Sequence, residues 1–442
     1  MKLAVIGGGS TYTPELADGL GRLAPQVTEL VLVDPDEARL AVVGPVSARI
    51  MRAHGHRAAV RWTTDTEDGI DGAAAVLIQL RVGGQAARDR DETWPLDFCC
   101  VGQETTGAGG LAKALRTVPV VLEIAELARR RAAPGAWIID FTNPVGIVTR
   151  ALLDAGHRAV GLCNAAINLQ RYFAGLLGVA PESVSLGHVG LNHLTWEREV
   201  LVDGVDRLPG LLAAHAGEIA SHVDSSAPVL ATYGCVPSYY LRYYDSHDAV
   251  VAEQRKAGTR AAAVRAIETE LLRLYADPAL DAKPELLGQR GGAFYSEAAV
   301  ALLASLLADA GDVQVVNVRN GGTLDFLPAE AVIEVPAAIG SAGPVPAPAA
   351  PLPPLLRGLV SHVSAYEELA VDAALRGGRQ RVLSALLAHP LIGQYDRAEK
   401  MADRLIAENQ RFLAWAGGTG TGAGGTGTGV RVTGAGEAGP VG

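Results

Sequence analysis

Three groups of residues in this chain have types and spacings that bear on chemistry. The first is Gly7-Gly8-Gly9-Ser10-Thr11-Tyr12, which follows an apolar run over residues 2–6. Glycines in such a turn let backbone amides approach a pyrophosphate at the start of a helix. Asp34 ends the next apolar run, Leu30-Val31-Leu32-Val33. An acid there takes the ribose hydroxyls of a dinucleotide and disfavours a 2′-phosphate. Tyr12 stands where the usual fingerprint has its third glycine, so the turn alone also suits a plain strand-to-helix connection. With Asp34 it points to NAD, held by Gly7, Gly8, Gly9, Ser10, Thr11 and Asp34.

The second group is Cys163 and His193. The cysteine follows the apolar run Ala159-Val160-Gly161-Leu162, and the histidine ends Val189-Gly190-Leu191-Asn192-His193. A thiolate and an imidazole both suit a divalent transition metal. By themselves they are more often a buried small side chain and a hydrogen-bonded core histidine. The third group is the tyrosine run Tyr239, Tyr240, Tyr243 and Tyr244. It reads either as an aromatic packing patch or as the source of a phenolic base. A phenol acts as base near neutral pH only when its pKa is lowered, as a nearby metal does.

These residues need a frame. Apolar runs at residues 2–6, 30–33, 73–80, 137–140 and 159–162 alternate with helical patterns such as Pro14 to Leu23 and Pro119 to Arg131. That alternation predicts an α/β fold with a parallel, doubly wound sheet. The expected organisation is a Rossmann-like NAD-binding domain over residues 1–165. A mixed α+β domain for substrate, metal and oligomerisation follows over 166–416. In the latter, Glu199 to Val205 predicts a hairpin turning at Asp203-Gly204, and Ala261 to Tyr275 and Ser296 to Ala310 predict helices. Gly343 to Pro354 reads as a surface connection and Leu355 to Ala416 as helices again. Residues 417–442 hold too little apolar mass to fold and are expected to form a disordered Gly/Thr-rich tail.

At 442 residues the chain exceeds the size at which a single core stops growing. Its formal charge of −10 lacks the basic face that a nucleic acid selects. No apolar stretch reaches the length of a membrane span, and no signal-peptide pattern follows Lys2. Cys99, Cys100, Cys163 and Cys235 show no disulfide framework, which suits a reducing compartment. The expectation is a cytoplasmic protein in which Cys99, Cys100 and Cys235 serve packing.

Several motifs occur in a set order: Gly7 to Glu15, Arg81-Val82-Gly83-Gly84, Gly102-Gln103-Glu104-Thr105-Thr106-Gly107 and Phe141-Thr142-Asn143-Pro144, then Gly161-Leu162-Cys163-Asn164 and Gly190-Leu191-Asn192-His193. Arg290-Gly291-Gly292 and Asn317-Val318-Arg319-Asn320 extend the series. In these motifs, over roughly residues 2–415, the chain resembles glycoside hydrolase family 4, and within it the 6-phospho-β-glucosidases. The resemblance implies hydrolysis by transient oxidation at sugar C3, loss of the C2 proton, elimination at C1 and addition of water. NAD is then a recycled catalyst, and a divalent metal, usually manganese, is a Lewis acid at the C2 and C3 oxygens.

Residue by residue, the resemblance implies Cys163 and His193 as metal ligands and Asn143 as a substrate contact near the nicotinamide. It implies Arg88 and Arg290 as substrate-binding arginines, either of which also suits an ordinary ion pair. Tyr240 is the implied base, with Tyr243 and Tyr244 as alternatives. Asn164 stands where α-specific members carry Asp, and an amide cannot act as the acid an α-leaving group needs; a β-linked substrate is implied. Ala165-Ala166 depart from the Val-Pro usual in β-type members. The implied partner is a small phosphorylated disaccharide or β-glucoside, and the implied assembly a homodimer or homotetramer. Ser10, Thr11 and the arginines suit an anion site, though the pair also suits a helix cap or the cofactor phosphates. Rival readings are a family 4 α-galactosidase or α-glucuronidase acting on unphosphorylated sugar, a 2-hydroxyacid dehydrogenase that accumulates NADH, and a non-catalytic NAD sensor.

Overall fold

The computed structural model describes residues 1–24, 26–291, 294–309 and 311–416, so the tail expected over 417–442 lies outside the described residues. Among the described residues thirteen strands join one sheet. β1 (Lys2–Ile6), β2 (Glu29–Val33), β3 (Ala59–Thr63), β4 (Ala75–Ile78), β5 (Trp137–Asp140) and β6 (Ala159–Gly161) pair in parallel, in the order β6-β5-β4-β1-β2-β3. The order reverses at β1, the hallmark of a doubly wound sheet. Leu3, Val5, Leu30, Leu32, Val76 and Ile78 are fully covered, as strands with helices on both faces must be.

The remaining strands are antiparallel: β7 (Val184–Leu191), β8 (Leu194–Val202), β9 (Val205–Asp206), β10 (Val236–Pro237), β11 (Asp312–Arg319), β12 (Val332–Gly340) and β13 (Gly343–Pro346). β11 inserts between β6 and β12. Its register sets Asn317 opposite Gly161 on one side and Glu334 on the other, and Glu334 in turn faces Gly190 of β7. One line across the sheet therefore connects the strand leading to Cys163 with the strand leading to His193.

The expected hairpin forms, with Asp203 at φ 51 and Gly204 at φ 75 between β8 and β9. Two expectations need correction. The helix expected from Pro119 spans Gly107–Arg131. Its first turn, Gly107-Ala108-Gly109-Gly110, carries little helical signal, and Gly109 and Gly110 are glycines because of crowding. A Cβ at Gly109 would lie 2.3 Å from the Gln103 carbonyl oxygen, and one at Gly110 2.7 Å from Thr105. The expected surface connection from Gly343 contains β13, where prolines are tolerated because the strand pairs on one side only, with β12.

Candidate active site

The glycine turn is shaped by β2 beneath it. The Gly7 and Gly8 amides both donate to the Val33 carbonyl at 2.8 Å, and the Gly9 amide donates to Asp34 Oδ2 at 3.1 Å. A Cβ on Gly8 would lie 2.7 Å from that of Leu32, and one on Gly9 2.8 Å from Asp34 Cγ. Turn and acid thus come as one unit, open toward a dinucleotide. Desolvation raises the Asp34 carboxyl above its ordinary value. Tyr12, in the place of the third glycine, packs edge-on against Tyr295, which packs against Phe141. Arg290 arrives from far along the chain. Its Nε donates to Thr11 Oγ1 at 2.8 Å, and its Nη2 to Ser10 Oγ at 3.4 Å and Glu268 Oε1 at 3.1 Å.

Arg88 belongs to a second charged cluster. Glu104 is buried and paired with Arg81, with Arg88 Nε at 3.2 Å and with Lys113 Nζ at 2.6 Å. Arg88 Nε also donates to Glu92 at 2.7 Å. Burial opposes the charge on Glu104, but Arg81, Lys113 and Arg88 outweigh it and hold the carboxyl well below its usual range. Burial, only partly offset by Glu104, pulls the Lys113 ammonium down to about 7. Three cations around one carboxylate, with Glu92 as a second, leave positive charge for an anionic or hydroxyl-rich ligand.

His193, with φ at 63, follows β7. Its Nδ1 lies 3.0 Å from Thr105 Oγ1. Its ring stacks on Tyr240, centroids 3.5 Å apart and planes 12° from parallel. Burial lowers the imidazole to about 4, so it is neutral and able to ligate. Cys163 is buried, and burial followed by the Glu334 charge raises its thiol to about 12. Cys163 is also among the groups that, after burial, hold the Tyr240 phenol well above its ordinary value. His193 and Tyr240 are thus brought together, with Cys163 near enough to act on the phenol. Tyr243 instead sits 3.5 Å from Tyr239, oxygen to oxygen, and Tyr244 stacks toward His389.

Among the described residues no three His, Cys, Asp or Glu side chains are grouped to hold a metal ion. A thiol and a neutral imidazole, as Cys163 and His193 offer, are donors of the kind a divalent transition metal takes while keeping positions open for substrate oxygens. Asn143, before the cis bond to Pro144, buries its Oδ1 without a hydrogen-bond partner among the described residues. Such an orphan suits contact with a ligand. Asn164 follows Cys163 directly and begins the helix Ala165–Leu177.

Beneath this site lies a network that the sequence reading missed. Glu334 Oε2 accepts from Asn192 and Asn317, each at 2.8 Å. His188 sits between Glu197 at 2.6 Å and Glu334 at 3.0 Å. An acid inside the apolar run Ile333-Glu334-Val335 was the available signal. Burial opposes the His188 charge, but Glu197 and Glu334 prevail and raise it to about 10. A raised folded value stabilises fully below the ordinary 6.5 and is lost as pH rises toward 10. The His188 contribution should therefore fall by a few kcal/mol between about pH 6.5 and 10, while Lys113 acts in the opposite sense over the same range. Urea unfolding should thus show His188→Gln less stable than the unaltered protein at the lower pH, with the gap closing as pH rises toward 10. Cys100 and Cys235 are buried as expected, but Cys99 is exposed, with an Arg255 nitrogen 3.2 Å from its sulfur. Its left-handed φ of 55 turns it outward at the end of a short helix.

No helix among the described residues is long and apolar enough to cross a membrane. The sequence model described as "Family 4 glycosyl hydrolase" matches residues 2–179, and that of the "Family 4 glycosyl hydrolase C-terminal domain" matches residues 188–392. The chain is 36% identical over 430 residues to a probable 6-phospho-β-glucosidase of Bacillus subtilis, covering 93% of this chain and 97% of that one. It superposes on the 6-phospho-β-glucosidase of Thermotoga maritima, solved with manganese, NAD+ and glucose-6-phosphate, at a TM-score of 0.86 and 31% identity, covering 93% and 99%. A 6-phospho-α-glucosidase from gut microorganisms, solved with NAD and glucose-6-phosphate, gives 0.86 at 25% identity with the same coverage. The chain, a glycosidase by class, therefore belongs to family 4 of the glycosyl hydrolases.

Proposed function

We propose that the chain hydrolyses 6-phospho-β-glucosides with the help of NAD and a divalent metal, residues 1–165 holding the dinucleotide and 166–416 completing the substrate and metal site. The observation that carries this is the stacking of Tyr240 on His193, with Cys163 near enough to act on the phenol and a cluster with surplus positive charge in reach of it. When bound, NAD would accept a hydride from the sugar and return it within the same turnover, and a divalent metal held by Cys163 and His193 would supply Lewis acidity. Asn143 orients the ring through its unpaired Oδ1. Tyr240 takes the C2 proton on its phenolate oxygen. Burial and the Cys163 charge oppose formation of that phenolate, so positive charge must be gathered beside it, and Arg88 is near enough to contribute. Arg290, held to Ser10, Thr11 and Glu268, contributes the positive charge that draws the 6-phosphate.

Asn164 supports the β-linked substrate, because no acid stands there to protonate an α-leaving group. The test is release of p-nitrophenol from p-nitrophenyl β-glucoside 6-phosphate, with and without NAD and manganese. Release that needs both, with no NADH accumulating, is the expected result. Release only from the α-linked or the unphosphorylated counterpart would overturn the readings of Asn164 or of Arg290. NADH formed from a hydroxyacid, with no glycoside cleaved, would overturn the whole proposal.

A further inference from the structure

We infer that Arg39 makes the dinucleotide site accept NADP as well as NAD, an inference that rests on the cofactor reading above. An acid at the end of the second strand normally marks NAD, and a nearby arginine accommodates a 2′-phosphate. This chain has both. Arg39 lies in the first turn of the helix Glu37–Ala53, its amide capped by Asp36 Oδ1 at 3.0 Å. Its Nε donates to the Gly9 carbonyl at 2.9 Å. That bond pins the guanidinium to the outer lip of the glycine turn, close enough to Asp34 to act on its charge.

Three acids stand near it: Asp34 and Asp36 are occupied by the backbone, and Glu268, whose carboxyl Arg39 helps to hold low, is paired with Arg290 at 3.1 Å. Asp34 Oδ2 accepts from Gly9 at 3.1 Å and Oδ1 from Asp36 at 3.0 Å, and the Asp36 carboxylate caps the helix. Among the described residues the Nη nitrogens of Arg39 have neither a hydrogen-bond nor an ion-pair partner. A planar fork with free N–H groups, held rigid through Nε, matches the oxygens of a phosphate. Asp34 keeps lone pairs for ribose hydroxyls, so NAD is not excluded. The like charge of Asp34 leaves NAD the tighter ligand, but the Arg39 fork offsets most of the repulsion.

The test is isothermal titration of the full chain, without metal, against NAD and NADP separately. The expected result is NADP binding within about thirtyfold of NAD, with Arg39→Ala weakening NADP by at least about tenfold and NAD by no more than about threefold. Arg39→Lys, which keeps the charge but lacks the fork, should fall between, and it decides the matter if the alanine variant does not fold. NADP binding weaker than that window, or both nucleotides weakened alike, would overturn the inference and reduce Arg39 to a prop for Gly9. Binding of neither nucleotide to the unaltered chain would overturn the cofactor reading itself, and this inference with it.

Discussion

Cys163→Ser is expected to lower kcat/KM on the β-linked phosphoglucoside by about a thousandfold, close to 4 kcal/mol of transition-state stabilisation, the several kcal/mol that a Lewis acid supplies. The buried thiol, raised to about 12, gives up its proton only to a metal, which deprotonates a coordinating thiol outright. A serine hydroxyl in the same pocket holds its proton more firmly. Nothing nearby replaces it, because among the described residues no third His, Cys, Asp or Glu completes a group. His193→Ala should be as severe, since its neutral ring stacks on Tyr240 and is the second ligand of the proposed metal site. NAD affinity should change by less than about threefold in both, because the cofactor rests on the glycine turn and Asp34. Manganese titration followed by electron paramagnetic resonance, alongside NAD binding, separates the outcomes. An inactive Cys163→Ser that binds manganese as tightly as the unaltered chain would refute the ligand role.

What was legible in the sequence follows from how far each signal reaches. The glycine turn and Asp34 belong to one strand–helix–strand unit, and the bond from Gly9 to Asp34 is the local geometry that their spacing encodes. Cys163 and His193 were individually ambiguous. The structure joins them through the register that sets Gly161, Asn317, Glu334 and Gly190 on one line, and no periodicity in the chain announces a register between strands so far apart. The choice among the tyrosines was illegible for a similar reason. A turn of 3-10 helix at Tyr239–Leu241, running into the helix Arg242–Asp245, decides that the Tyr240 ring meets His193. Lys113 escaped notice because it lies in a helix whose start is hidden by glycines, yet it is nearly inaccessible and bonded to Glu104.

Glu104→Gln should be among the most destabilising single changes in the protein, costing about 3–5 kcal/mol at neutral pH, the range for removing one partner from a buried ion cluster. The amide keeps the shape of the carboxylate but leaves Arg81, Arg88 and Lys113 facing one another. The pH dependence carries the argument. Glu104 is held well below its ordinary 4.5, so its contribution is complete above that value and disappears as pH falls through the depressed folded value. The gap between variant and unaltered protein, read from urea midpoints, should therefore be widest near neutrality and close in acid. Above neutrality a second trend enters. Lys113 already titrates at about 7, and without Glu104 to retain its proton it falls further. A base whose folded value is depressed destabilises while the unfolded chain still binds the proton and recovers as pH rises toward 10.5. Glu104→Gln should thus regain stability progressively as pH rises toward 10.5, above which Lys113 is neutral in both states and only the two guanidinia remain opposed. Equal stability of variant and unaltered protein at pH 7 would mean that the cations are neutralised by something other than Glu104, and that the surplus charge ascribed to the substrate site is already spent.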